Sequence, residues 1–541
     1  MIKTEPSVFR IDQQGYDAGL PVYAASLTEE PVLLKNEAGE IVRSFPAGEA
    51  SVDPASGDRV SLLDLGLLDP GIYTLENSGS RRSFTVGQDV WNNVTHALIK
   101  GLYYQRCGCE LRPEHAGPYA HPACHTAPAL DWEDRSVRRR VPGGWHDAGD
   151  YGKYVGPGAV TVAHLLYAWK LFSQGCSGEL NIPESGNGIP DILNEAGYEL
   201  EWILEMQRSD GAFHHKLTKS HFAAFIMPQD DLEQEYLMPV CHCATADACA
   251  CLALAARVWR TFDVPFANRM LLAARRAWDW LQAHPDFVPF MNPEGVRTGR
   301  YSSRTDADNR FWAACELFAA TGEEAFLRAA EALYAPEIDL LQFGWMDVGG
   351  MAALCCLFDL KEKAGDLLYT GLRERFLRHS ERVLSLSRAS GYGTALAPDR
   401  YVWGSILLIL SGAMAMIMNT LLTGRQDMRD AALLQWHYAL GLNALDLCFV
   451  TGFGERSVMN PHHRPSGADG ITDPVPGLIS GGPNNCFCYP QTKEKLGAET
   501  PPAKYFLDET PSADTNEIAI YWNSPAVFVG AYFNRLSVCS S

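Results

Sequence analysis

A chain of 541 residues with a formal charge of −20 and 15 cysteines is longer than one ordinary domain and has ample apolar sequence for a large core. The acidic balance excludes nucleic acid and an anionic membrane as expected partners, because both reward the opposite sign. A neutral or cationic ligand fits better, and no obligate protein partner is implied.

Residues 1–86 carry short strand signals at Val8–Ile11, Val32–Leu34, Ile41–Phe45, Val60–Leu63, Ile72–Leu75 and Phe84–Val86. Turn residues such as Pro46-Ala47-Gly48, Ser56-Gly57-Asp58 and Asp69-Pro70-Gly71 separate them. That spacing predicts a small all-β sandwich of the immunoglobulin type. From residue 87 to 541 the periodicity turns helical. Roughly a dozen helices are predicted near 88–104, 158–173, 190–207, 244–262, 266–284, 308–321, 323–334, 348–362, 366–382, 402–423, 427–441 and 514–535. Strand signals are nearly absent among them, so the second domain reads as all-α, with its chemistry in the Gly/Pro-rich loops. The longest apolar run, Ile406 to Met418, is too short to span a bilayer and reads as a buried helix.

Cysteine pairs such as Cys249/Cys251 and Cys355/Cys356 lie in apolar helical sequence, where a reduced thiol behaves as a small hydrophobe. A reducing compartment is expected, without a disulfide framework. The start Met-Ile-Lys-Thr-Glu-Pro-Ser has no apolar leader, so a cytoplasmic location is expected, or secretion if a leader has been removed.

The stretch Gly143–Tyr154 sets Asp147 and Asp150 three residues apart in a glycine-rich loop beside His146. Two close carboxylates cannot both ionise freely, which suits a general base. The same spacing also occurs in turns, helix caps and calcium loops. Near the other end, Glu517 is expected at the start of the last helix, followed by Ile518, Ala519, Ile520, Tyr521 and Trp522. Burial there would keep it protonated, as a general acid needs. An acid and a base from opposite ends of a chain make the pair that glycoside hydrolysis requires. A third cluster, Thr451–Pro465, brings His462 and Arg464 in a Pro-bounded loop able to hydrogen-bond sugar hydroxyls.

Three motifs together resemble glycoside hydrolase family 9, the inverting cellulases. They are Trp145–Tyr154, Val450–Gly454 through Pro461–Arg464, and Phe506–Asp508 through Asn516-Glu517 to Trp522–Pro525. The resemblance implies an immunoglobulin-like module preceding an (α/α)6 barrel. It also implies cleavage of β-1,4-linked glucans or cello-oligosaccharides, with Asp150 as base, Asp147 as its partner and Glu517 as acid. His462, Arg464 and Asp508 match positions that line the cleft. Ala513 stands where the family has an aromatic residue, and Ile406 where it has Asn.

By the same resemblance Cys107, Cys124, His125 and His146 are the ligands of a structural zinc ion, and two thiolates with two imidazoles are a closed zinc set. Cys109 is a competing ligand. Calcium loops are expected at Asp469, Ile471 and Asp473 and at Asp306, Asp308 and Asn309, with residues 184–191 as a third stretch, although each is also a plausible solvated turn. An endo-acting glucanase is the favoured reading. An exo-acting enzyme trimming short oligosaccharides, a non-catalytic glucan-binding protein and a zinc hydrolase are the alternatives. The last is disfavoured because four protein ligands leave no position for water.

Overall fold

Alternation along the first strands decides their packing: in Arg81–Gly87 the side chains of Arg82, Phe84 and Val86 turn inward while their neighbours face solvent. The computed structural model describes residues 6–47 and 50–539. Up to Gly87 two sheets face each other. One is ordered Phe9–Arg10, Val22–Ser26, Arg59–Gly66, Ser51–Val52; the other Tyr16–Asp17, Arg81–Gly87, Gly71–Glu76, Val32–Asn36, Ile41–Phe45. Phe9, Val22, Leu34, Leu65, Leu75 and Phe84 fill the space between them. Val22–Ser26, Tyr16–Asp17 and Ser51–Val52 are strands that the sequence pattern did not single out.

The remainder is a barrel of paired helices. Ile520–Cys539 packs on Val155–Phe172, which packs on His242–Trp259, then Ala307–Thr321, then Gly349–Leu354; Ser405–Thr423 returns to Ile520–Cys539. These inner helices are apolar nearly all round, as expected for elements with no solvent face. In His242–Trp259 Arg257 is the one residue that is not buried. Outer helices such as Val264–Ala283 and Glu324–Leu333 are amphipathic and cover them. Ser405–Thr423 is longer than the apolar run suggested, and by length and composition it could cross a membrane. Here it is an inner helix with Ile406, Ile409, Leu410, Met414 and Ile417 fully buried.

Two expectations change. The second domain is not purely helical: Ala129–Asp131, Arg138–Arg139, Lys153–Tyr154, Lys216–Thr218 and Tyr236–Leu237 form a small sheet at one end of the barrel. Its strands are two or three residues long, too short to leave a period-2 pattern. The last helix begins at Ile520, after the short helix Ala513–Asn516, so Glu517 lies in extended backbone between two helices. Local periodicity favoured continuous helix there, but bridges to three other segments win.

The sandwich is joined to the barrel by buried charge. Asp446, fully buried, accepts Arg82 Nη1 at 2.6 and 2.7 Å and lies 4.0 Å from Arg10. Nearby, Asp12 accepts Trp91 Nε1 at 3.0 Å and is 2.8 Å from His437 Nδ1. Removing one partner of a buried pair leaves the other charge uncompensated. Asp446→Ala is therefore expected to lower stability by about 3–5 kcal/mol in urea unfolding; an unchanged midpoint would show that this junction carries none of the stability.

Candidate active site

The Asp147/Asp150 loop is pinned from several directions. His146 N donates to Gln105 O at 2.7 Å and Cys107 N to Gly144 O at 2.8 Å. The Gln105 side chain donates to His146 O at 3.1 Å and Ala148 O at 2.9 Å, while its Oε1 lies 2.9 Å from His463 Nε2. Arg464 donates to Gly149 O twice, from its backbone N at 3.0 Å and from Nη1 at 2.8 Å. Residue 149 must be glycine: a Cβ there would stand 1.9 Å from His462 O.

Residues 517–519 join the same assembly through the backbone. Glu517 bridges His462, Ile518 bridges Ser480, and Ala519 bridges Ala148. Ile520 N donates to Asp147 O at 2.9 Å. The far end of the chain is thus stitched directly to the Asp147/Asp150 loop, and both open onto one cavity of about 770 Å³. Asp150, Glu517, His462 and Arg464 line it, with Tyr301, Trp345, Trp403, Tyr489 and Phe222 as aromatic walls. Ala513 lines it too.

Electrostatics separate the carboxyls. Burial pushes Glu517 well above its ordinary range, and the Asp150 and Asp147 charges push the same way against Arg464. Burial also raises Asp147 well above its range, opposed by the Tyr301 hydroxyl, which donates to Asp147 Oδ2 at 2.5 Å. Asp150 is raised by burial, but Arg464 and the Gly152 amide, which donates at 2.9 Å, pull it back. His462 is held down to about 4 by burial, hence neutral near pH 7; its Nδ1–H donates to Thr510 O at 2.7 Å, leaving Nε2 as an acceptor.

Asp508 does not line the cavity. Its carboxylate accepts the Met459 and Asn460 amides at 2.9 and 2.8 Å and Asn516 Nδ2 at 3.0 Å. It braces the loop before His462 and the residue before Glu517, and no cleft-lining role is visible.

Cys107, Cys124, His125 and His146 come together as the sequence suggested, with one ligand atom of each within 4.8 Å of the others. Cys109 is not part of the group. His125 Nδ1 is buried without a hydrogen-bond partner, and its Nε2 lies 3.2 Å from Asp231 Oδ2. A carboxylate behind one ring nitrogen and a free lone pair on the other is the arrangement of a metal-ligating histidine. These four residues can hold a metal ion. A second group, Glu316, Cys355 and Asp359, is neutralised instead: Arg257 bonds both carboxylates and Lys170 donates to Asp359 at 2.6 Å.

The expected calcium loop at 306–309 is taken up by other partners. Asp306 accepts Arg310 Nε at 2.6 Å, Asp308 the Val348 amide at 2.8 Å, and Asn309 donates to Asp247 at 2.7 Å. In residues 184–191, Glu184 pairs with Arg106 at 3.0 Å and Asp191 accepts the Leu180 amide at 2.7 Å. At 469–473, Asp469 Oδ1 accepts the Ile471 amide at 2.8 Å while Oδ2 has no partner, and Asp473 is exposed.

Tyr301, Trp345 and Tyr489 were not found from sequence. They sit in irregular loops, where no period marks an inward side chain; the glycines flanking them, Gly299 and Gly344, were the available signal.

Comparison with known proteins agrees over the whole chain. The profile described as glycosyl hydrolase family 9 matches residues 91–530. A cellodextrinase of Butyrivibrio fibrisolvens is 35% identical over 496 residues, 88% of this chain and 90% of that protein. A thermostable endoglucanase from Alicyclobacillus acidocaldarius shares the fold with a TM-score of 0.91 at 33% identity, covering 98% of this chain and 100% of that one. A Zn-binding triple mutant of the family 9 endoglucanase J30 follows at 0.89 and 30%, covering 96% and 99%. With sandwich, barrel and shared cavity all accounted for, the chain belongs to glycosyl hydrolase family 9 and is a glycoside hydrolase.

Proposed function

We propose that this enzyme is an inverting endo-β-1,4-glucanase in which Glu517 protonates the departing glycosidic oxygen and Asp150 takes the proton from the attacking water. The observation that carries the reading is that both carboxyls line one cavity on segments hydrogen-bonded to each other. Glu517 enters protonated because burial and two neighbouring acids disfavour its charge. Arg464 favours the charge on both carboxyls, but Asp150 also accepts the Gly152 amide and feels Lys216, so it is the one suited to stay ionised. Asp147, fixed by Tyr301, helps to hold the water. An inverting pair needs ~6.5–9.5 Å between carboxyls to admit that water. His462 Nε2 accepts a sugar hydroxyl, and the aromatic walls stack on sugar faces.

For zinc, we read Cys107, Cys124, His125 and His146 as the ligands; when bound, zinc would act as a structural cross-link with no open position. The engineered Zn-binding relative and the unpartnered His125 Nδ1 support this. For calcium, the buried, unpartnered Asp469 Oδ2 supports the turn at 469–473 alone. Fourteen of the fifteen cysteines are free, which supports a reducing, cytoplasmic setting with short cello-oligosaccharides as substrates. The cellodextrinase relative points the same way.

Glu517→Gln and Asp150→Asn are each expected to lower kcat on a soluble β-glucan by at least ~10²-fold; near-normal turnover in either would end the assignment. The linkage sign adds a control. A carboxyl whose folded pKa is raised binds more protons folded than unfolded, so it destabilises the fold once pH rises above its unfolded pKa. Glu517→Gln should therefore melt at the same or a higher temperature than the parent at pH 7–8, separating a catalytic from a structural loss. Early products from cellohexaose should scatter in length, whereas release of one fixed unit would indicate exo action. Metal analysis should find one zinc per chain, lost in Cys107→Ser, and chelation should lower the melting temperature; a chelator without effect on melting would remove the zinc assignment.

A further inference from the structure

Lys216 is completely buried, and among the described residues its hydrogen bonds run to neutral oxygens and to no carboxylate. It sits in the strand Lys216–Thr218, opposite Tyr154 in the strand that follows the Asp147/Asp150 loop. A lone buried cation is costly to keep, so what it does instead of pairing matters. All three donors of its ammonium are spent on one loop: Nζ donates to Asn292 Oδ1 at 2.8 Å, Thr298 Oγ1 at 3.0 Å and Gly299 O at 2.6 Å.

That loop, residues 284–306, has no helix or strand of its own. It is clasped along the same strand and the residues flanking it by Thr218 Oγ1, 3.0 Å from Thr298 Oγ1, by Arg297 N donating to Ser220 O, and by His215 stacked on Phe290. Two residues past Gly299, Tyr301 enters the cavity and donates to Asp147. Tyr301 holds φ at +43°, a left-handed conformation that a bulky residue keeps only when its surroundings fix it. Its ring is wedged edge-on against Tyr154 and Trp345, both at 4.6 Å.

We propose that Lys216 is a positioning residue for hydrolysis: its ammonium ties residues 292–299 to the strand so that Tyr301 stands over Asp147. The proposal rests on Asp150 being the base. The groups facing Lys216 are the Tyr154 ring at 5.5 Å, the Phe290 ring at 5.8 Å, Asn292, Thr298 and Gly299, with Asp150 the charged neighbour. Burial draws Lys216 down to about 7, with the Asp150 charge opposing it, and Lys216 in return favours the ionised form of Asp150.

The test is Lys216→Met in the full chain, assayed on cellohexaose with melting recorded. The expected result is a kcat at least ~10-fold lower with KM within ~3-fold, and an acid limb of kcat/KM moved to higher pH, because Asp150 loses a nearby cation. Tyr301→Phe and the double variant complete a cycle: losses that do not add are expected if Lys216 acts through Tyr301. A folded Lys216→Met enzyme with unchanged kcat and acid limb, or fully additive losses, overturns the proposal. If Lys216→Met does not fold, Asn292→Ala and Thr298→Val each remove one acceptor and should lower kcat less steeply at constant KM; two unaffected variants overturn it equally. An active Asp150→Asn enzyme would instead bring down the base assignment, whatever Lys216→Met does.

Discussion

Everything at the catalytic centre depends on a short piece of backbone pairing: Ala148 against Ala519, with Ile520 N on Asp147 O. Residues separated by most of the chain become neighbours through peptide groups, whose geometry is stiff, and not through long side chains. The separation between Asp150 and Glu517 is therefore a property of the main chain. That explains why glycine is needed where His462 O presses on residue 149, and why Arg464 and Gln105 spend their donors on loop carbonyls. Side chains that look like substrate ligands in the sequence are partly occupied in holding the loop that carries Asp147 and Asp150.

The second consequence is electrostatic. Bringing three carboxyls together out of water raises all three, and the protein does not neutralise them evenly. Arg464 acts on both Asp150 and Glu517, Lys216 and the Gly152 amide add to it at Asp150 alone, and Asp147 receives a neutral hydroxyl. An uneven field is what allows neighbouring carboxyls to differ in protonation at the same pH, as the proposed acid and base require. A symmetric arrangement of cations would favour ionisation of all three.

The sequence carried the large features because they are periodic. The β-rich leader and the long helices declare themselves by period 2 and period 3.6, and Asp147, Asp150 and Glu517 stood out as acids in glycine-rich or apolar settings. Features without a period were lost. Val22–Ser26 contains Ala-Ala-Ser, which is weak strand sequence, and it is a strand because Arg59–Gly66 pairs with it. The small sheet in the barrel domain is made of strands too short to show alternation. The apolar run 518–522 predicts helix at Glu517, yet residues 517–519 form bridges to three other segments and 518–522 are buried. Asp508 and the acids at 306–308 show the converse: a motif fixes where a residue sits but not which way its oxygens turn, and here they turn toward backbone amides and Arg310.

Irregular loops cannot borrow rigidity from a helix ladder, so they must be held at many points, and this site shows how. The Asp147/Asp150 loop is fixed at one end by the Gln105 carbonyl on the His146 amide, in the middle by the Gln105 side chain and Arg464, and directly by residues 519–520. The facing loop is fixed through Lys216 and Thr218 on a strand whose neighbour is the continuation of that first loop. Both walls of the catalytic groove therefore hang from one small sheet. A helical barrel supplies the stable floor, but the reacting geometry is set by a few residues of β-structure that the helical pattern of the domain gives no reason to expect.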